Sequence, residues 1–296
     1  MTTETVEQVP APLIITEPGL HDVPEDAYHR DPVPAGSLSS SGARILLPPS
    51  CPALFRYEQD HPRDPSPAQA FGTLAHTLVL GSGPELFVYD KLDGRTKAGK
   101  EQADEMAQAL ASGVLAVPAE DYARAQAMVE EIRKHPLASA LFNPENGAPE
   151  QSGFWQDRET GAWCRVRYDF LPQARNGRLI FPDFKTTRHL DDQSIDRDLG
   201  KWGYHQQLDF YERGAQALGL AESATGVLVF QMVDPPHLVR VVQMDQRAQE
   251  VAHLRNRRAI DLFARCQATG KWPGYGDDVH TASLPPWIAN QEEYAA

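Results

Sequence analysis

Three scarcities bound what this 296-residue chain can be. Cysteine is scarce: Cys51, Cys164 and Cys266 lie far apart with no C-x-x-C spacing, which excludes the usual zinc and iron–sulfur ligand sets. They read as reduced, buried thiols. Long apolar runs are lacking. No stretch approaches the roughly 18 to 20 uninterrupted apolar residues of a membrane span, and the opening M-T-T-E-T-V-E-Q-V-P is acidic and polar, unlike a signal peptide. A soluble, cytoplasmic protein with no membrane partner is expected. Positive charge is in deficit, with 28 Lys and Arg against 41 Asp and Glu, a net charge of -13. That excludes a protein that coats nucleic acid by bulk attraction, but not an enzyme that gathers a few cations into one channel. The G-x-x-x-x-G-K-[ST] loop is missing too, which sets a nucleotide-hydrolysing enzyme aside.

With 41% hydrophobic residues the chain can bury one substantial core. Residues 1–35, rich in Pro, Glu, Asp and Thr, read as a flexible tail, and 36–296 as one domain. Ser39 or Ser40 can cap a short helix that Pro48-Pro49 stops. A second helix from Ser66-Pro67 to Gly81 places Phe71, Leu74, Ala75 and Leu78 on one face, with Gly72 and His76 one turn apart. Residues 101–115 and 118–142 read as further helices. Residues 153–155, 163–171 and 178–185 read as a three-stranded antiparallel meander around E-T-G and R-N-G turns. An amphipathic helix follows over 202–219, then strands 227–233 and 238–244, then a helix capped by Asp245 that runs to about Ala268. Together these predict an α/β (α+β) fold with a central mixed five-stranded sheet flanked by helices.

The chemistry concentrates at Asp183-Phe184-Lys185, which ends the apolar run Leu179 to Pro182. Alternation on a strand sends Asp183 and Lys185 to one face and Phe184 into a core. Asp169, fourteen residues earlier on the preceding strand, supplies a second carboxylate if the register brings the two together. Two carboxylates and an ammonium suit a hard divalent cation and a phosphodiester. A surface ion pair is the plainer reading of any single D-x-K. His76 is either a ligand or a hydrogen-bonded core histidine, and Tyr211 lies on the apolar stripe of its helix with only its hydroxyl free to reach a site. Arg165 and Arg167 bind phosphate or balance nearby carboxylates. The segment Lys91 to Lys100 is either a phosphate grip or a solvated loop, and Glu150 stands just before the meander, equally compatible with solvent.

In order along the chain stand G-T-L-A-H (Gly72 to His76), Y-D (Tyr168-Asp169), D-F-K-T-T (Asp183 to Thr187) and Y-H-Q-Q-L-D-F-Y (Tyr204 to Tyr211). This order resembles the RecB-like branch of the PD-(D/E)XK nucleases. The opening L-S-S-S-G-A-R-I-L-L-P-P-S-C-P-A-L-F-R-Y, the R-T-K-A-G-K-E stretch and F-W-x-D-x-x-T-G-x-x-C-R-V-R-Y-D resemble the RecE-type exodeoxyribonuclease VIII family of phages and prophages, over about residues 37–213. The resemblance implies a restriction-endonuclease-like core in which His76, Asp169 and Asp183, with the Phe184 carbonyl, ligate Mg²⁺ or Mn²⁺. It implies that Lys185 activates water or steadies charge on the scissile phosphate, and that Gln207 and Tyr211 contact DNA. An exonuclease on double-stranded DNA ends, working 5′ to 3′ as a ring-like homo-oligomer and handing single strands to an annealing protein, is the implied function. The rivals are a RecB-like nuclease acting on single strands or internally, and a non-cutting DNA-binding protein of the same fold. Some RecB-like members carry four cysteines for an iron–sulfur cluster, which three cysteines do not supply.

Overall fold

Where the sequence alternates or turns β-branched and aromatic, strands form; where apolar residues recur every third or fourth position, helices cover them. The computed structural model describes residues 13–61, 67–92, 94–286 and 288. In chain order these form β1 (Gly19–His21), α1 (Glu25–His29), α2 (Ser40–Ile45), α3 (Pro52–Asp60), α4 (Pro67–Leu80), β2 (Leu86–Tyr89), α5 (Lys97–Ala111), β3 (Leu115–Pro118), α6 (Ala119–Lys134) and α7 (Pro136–Leu141). The second half holds β4 (Gly147–Gln156), β5 (Trp163–Pro172), β6 (Arg178–Thr187), α8 (Asp192–Trp202), α9 (Tyr204–Ala217), β7 (Ser223–Met232), β8 (Val239–Val242) and α10 (Gln246–Thr269).

The five central strands lie in the order β4-β5 beside β6-β7-β8, and β1 extends the outer edge of β4. β4 and β5 are antiparallel, β6 and β7 parallel, β7 and β8 antiparallel, so the sheet is mixed. Parallel β6 and β7 cannot be joined by a tight turn, and α8 and α9 make the crossover. The expected continuous meander has a seam. Among the described residues β5 and β6 share backbone bonds only where Arg175 and Arg178 pair at their turn, and further along the Phe184 N–H is donated to the Asp169 carboxylate at 2.7 Å.

Two cores sandwich the sheet. Leu179 and Phe181 of β6 pack with Tyr168, Leu208, Phe210, Phe230 and Ile260 under α9 and α10. Phe184, Phe170 and Val229 pack with Ala75, Met128 and Ile132 under α4 and α6. Residues 179, 181, 183 and 185 therefore look toward α9, and Phe184 looks toward α4, as strand alternation requires. Asn256, fully buried, locks α10 to α9 by donating to the Gln206 carbonyl and the Asp209 carboxylate, both at 2.8 Å.

Four expectations need correction. Residues 1–12 lie outside the described residues, but 13–35 are not a tail: Ile15, Val23, Tyr28 and Val33 are buried around Phe154, and β1 pairs with β4. Four apolar side chains spread among prolines and acids show no periodicity, so composition hid them. The 101–115 helix starts at Lys97, capped by Thr96, and gives way to β3, which pairs in parallel with the unforeseen β2. The 118–142 helix breaks at His135, because a residue before proline is pushed out of the helical region. The helix expected from Trp202 begins at Tyr204, because Gly203, in the left-handed region at φ 70°, separates it from α8. The caps by Ser39 and Asp245 form as expected, and all three cysteines are free and buried.

Candidate active site

The seam between β5 and β6 is where the polar residues gather. On β6, Asp183 is fully buried and Lys185 Nζ stands 2.6 Å from its Oδ2. From α9, Gln207 donates to the other oxygen, Asp183 Oδ1, at 2.8 Å, and also reaches the Tyr211 hydroxyl at 3.3 Å. Asp183 Oδ2 is itself a buried oxygen, and the Lys185 ammonium is its charged partner. Burial, helped by the Asp169 charge and opposed by Lys185, pushes the Asp183 carboxyl up to about 6. For Lys185 burial works against the charge, but Asp183 and Asp169 outweigh it and hold the ammonium firmly protonated.

Across the seam Asp169 uses Oδ2 for the Phe184 N–H and Oδ1 for His76 Nε2 at 3.2 Å. Its carboxylate thus occupies the position where a strand carbonyl would have completed the ladder. His76 arrives from α4, and its Nδ1 lies 3.1 Å from Glu150 Oε1 on β4. Burial disfavours an imidazolium, yet the Asp169 and Glu150 carboxylates override it and push His76 up to about 10. Burial works against an ionised Asp169, but the charge and hydrogen bond of His76, with Lys185 and the Phe184 N–H, outweigh it and hold its carboxyl below the ordinary carboxylate range. Glu150 in turn is gripped by Arg167 Nε, while Arg167 Nη1 donates to Ser152 Oγ at 2.9 Å and to the Val23 carbonyl at 2.7 Å. Gly72 is not required by crowding: a Cβ there would meet Thr186 Oγ1 at an ordinary 3.8 Å.

The gap in the ladder explains how residues from both sides of the sheet meet. His76 comes from the α4 side, Gln207 and Lys185 lie on the α9 side, and Asp169 sits in the seam between them. His76, Asp169, Asp183 and Lys185 are thereby brought together as anticipated. Gln207 and Tyr211 are in the cluster but face inward: the Gln207 amide holds Asp183, and Tyr211 is buried, its ring edge-on to Tyr168, whose hydroxyl donates to the Tyr211 carbonyl at 2.9 Å. The Gln207 amide and the Tyr211 hydroxyl meet 3.3 Å apart in this cluster. Arg165 and Arg167 balance carboxylates. Buried Arg165 pairs with Asp31 at 2.8 Å and donates to the Ser37 carbonyl at 2.6 Å.

Glu150 is the residue that sequence reasoning left out. Its φ of 55° is in the left-handed region, uncommon for a side chain of this size and of the kind that gathers at functional sites. A glutamate that no local pattern demands, after proline and before the hydrophobic alternation of β4, was the one available signal. In the basic segment Lys97 opens α5 and pairs with Glu101 of the same helix at 3.6 Å.

Whether a divalent cation fits can be judged from the donors. Among the described residues no three His, Cys, Asp or Glu side chains already converge as a ligand set, because His76 and Lys185 stand between the carboxylates and neutralise them. The donors themselves are hard oxygens plus one imidazole, and two of the carboxylates, Asp169 and Asp183, act on each other. That set suits Mg²⁺ or Mn²⁺. Also among the described residues, no helix is long and apolar enough to cross a membrane.

No curated protein sequence matches this chain significantly. Among solved structures, the crystal structure of a "Putative exonuclease" from Eubacterium rectale superposes with a TM-score of 0.56 at 13% identity, covering 91% of this chain and 98% of that one. The likeness is one of fold. The structure of SSO0001 matches at 17% identity over 69% of this chain and 85% of that one, with a TM-score of 0.29 that carries no argument. Residues 45–284, which contain His76, Asp169, Asp183, Lys185, Gln207 and Tyr211, match the PDDEXK-like domain of unknown function DUF3799, and the chain belongs to that family.

Proposed function

We propose that this chain is a metal-dependent exodeoxyribonuclease of RecE type that degrades linear double-stranded DNA from its ends, 5′ to 3′, leaving single strands for an annealing partner in recombination. The observation that carries this reading is the meeting of Asp169, Asp183, His76 and Lys185 at the β5–β6 seam. The fold family supports a nuclease; polarity, the end requirement, a ring-like assembly and the annealing partner rest on the motif resemblance alone.

Asp169, Asp183 and His76 would hold Mg²⁺ or Mn²⁺, which when bound supplies Lewis acidity at the scissile phosphate. Lys185, fixed beside Asp183 and permanently charged, offsets negative charge that develops on the phosphoryl oxygens during attack. Gln207 keeps Asp183 Oδ1 occupied, so that the carboxylate presents Oδ2. Glu150 holds Nδ1 of His76 and thereby aims Nε2 at Asp169 and the seam.

The test uses linear duplexes labelled separately at each 5′ and 3′ end, with a covalently closed circle as control. With Mg²⁺ the protein is expected to release 5′ label first, spare the circle, and stop when a chelator is added. Asp183→Asn and Lys185→Ala are expected to lower the rate about a hundred- to a thousandfold, the scale of removing a charge-stabilising group, while far-UV circular dichroism stays native. A circle cut as fast as the linear duplex rejects end dependence, and undiminished cleavage by Asp183→Asn rejects the site.

A further inference from the structure

The arginines that support the site on β5 and α10 have protein partners: Arg165 pairs with Asp31, Arg167 with Glu150, Arg257 with Asp157. Arg44, in the last turn of α2, differs. It is half-buried, yet among the described residues no carboxylate or carbonyl oxygen pairs with its guanidinium. A guanidinium presents five donors in a planar fork matched to phosphate or carboxylate. Left without an internal anion beside a nuclease-type site, it is available to an external one.

Its position is fixed by the corner between α8 and α9. Gly203 there lacks the Cβ that would stand 2.6 Å from Arg44 Cδ and 3.8 Å from its Nε. The bare glycine, already favoured by its left-handed φ of 70°, lets the arginine stem lie flat on the corner. The next residue, Tyr204, carries its ring 5.3 Å from Lys185 Nζ and packs edge-on against Phe230, the strand neighbour of Lys185. Lys185 and Arg44 both act on the Tyr204 hydroxyl, together with the carboxylates Asp183 and Asp198. Lys185 thus stands at the Tyr204 ring, and Arg44 lies against the residue before it. One is committed to Asp183, and the other has no protein anion.

We propose that Arg44 is a DNA-backbone contact whose guanidinium takes a phosphate neighbouring the one that faces Lys185. This rests on the nuclease reading above and adds a substrate-binding residue outside its four motifs. Arg44 lies against Gly203, the residue before Tyr204, so the corner offers a second cation besides Lys185 for another phosphate of the backbone. It also gives the serine-rich L-S-S-S-G-A-R segment a function: Ser39 caps α2 by accepting from the Gly42 N–H at 3.2 Å and so fixes the turn that presents Arg44.

The experiment measures affinity for a linear duplex in Ca²⁺ across a salt series, checks that the DNA stays intact, and measures cleavage in Mg²⁺ alongside. For Arg44→Gln the plot of log affinity against log salt is expected to become shallower by about 0.9, the effect of one lost phosphate contact. KM should rise several-fold with kcat changed less, and the thermal midpoint should hold. Arg44→Lys should restore the slope. A wild-type slope in an Arg44→Gln protein that still cleaves overturns the assignment of Arg44 and leaves the nuclease reading standing; so does lost affinity explained by a lowered thermal midpoint with no change in slope. A wild-type protein that neither binds nor cuts duplex DNA overturns both.

Discussion

Replacing Glu212 by Gln should stabilise the protein at alkaline pH and change little at pH 5. Glu212 lies on α9, one position beyond Tyr211, and its Oε1 accepts the Gly226 N–H of β7 at 2.9 Å. Gly226 has no room for a side chain, since a Cβ would come within 2.7 Å of Leu208 Cδ2 and 2.8 Å of Phe181 Cζ. The carboxyl therefore sits at a tight helix–strand contact. Burial raises it from 4.5 to about 7, partly offset by the Gly226 bond and reinforced by Asp209. In the unfolded chain it ionises near the ordinary 4.5. The folded state therefore holds the proton more tightly, and stability is lost as pH climbs from about 4.5 through about 7. At 1.36 kcal/mol per pH unit the full shift corresponds to roughly 3 kcal/mol. Glu212 is partly open to water, so screening reduces this to about 1–2 kcal/mol. Glutamine keeps the acceptor and never ionises. Urea unfolding of both proteins at pH 5 and pH 8 is the assay, and the variant should gain that 1–2 kcal/mol at pH 8 alone, about 2–8 °C in Tm. A difference independent of pH, or a variant less stable at pH 8, refutes the assignment of a buried, proton-holding carboxyl.

Two further outcomes follow from the seam and its surroundings. Glu150→Gln keeps the chain folded but loosens the hold on His76 Nδ1, and Mn²⁺ affinity by calorimetry should fall about 10- to 100-fold; unchanged affinity would remove Glu150 from the support of the site. Arg165→Met strands Asp31 beside a buried apolar side chain and should cost about 3–5 kcal/mol by urea unfolding, most of it recovered in the Asp31→Asn, Arg165→Met double variant. A double variant as unstable as the single one would mean that packing, not charge, ties residues 13–37 to β5.

How much of this was legible follows from what each residue depends on. Asp183 and Lys185 could be assigned to one face because strand alternation is a local property, and Ser39 and Asp245 could be assigned as caps because a cap bonds three residues ahead. Glu150 could not be found that way. Its role comes from His76 on α4 and Arg167 on the neighbouring strand, partners 74 and 17 positions away. The seam was hidden for the same reason: nothing in Trp163 to Pro172 announces that an aspartate will replace a backbone carbonyl at the join with β6. Residues 13–35 misled because disorder was inferred from composition, whereas their order depends on Phe154, supplied from more than a hundred positions downstream. Gln207 could be assigned to its cluster but its bond to Asp183 could not, since helical spacing fixes its face and not what that face meets.

The acidic total charge, the strongest sequence argument against a DNA enzyme, loses force once charges are counted where they sit. At the seam the carboxylates Glu150, Asp169 and Asp183 are met by His76, Arg167 and Lys185, three cations on three anions, so the site itself is close to neutral. Arg44 adds a further positive charge at its α8–α9 edge. Exposed acid stands elsewhere, for example at Asp104 and Glu105 on α5 and at Asp277 and Asp278 past the end of α10. At physiological ionic strength the field of exposed charges decays over about 8 Å, while buried pairs are screened far less. A phosphate entering the seam therefore meets Lys185 and Arg44 more strongly than the distant carboxylates. Local arrangement, not the net charge of -13, sets whether a polyanion can approach.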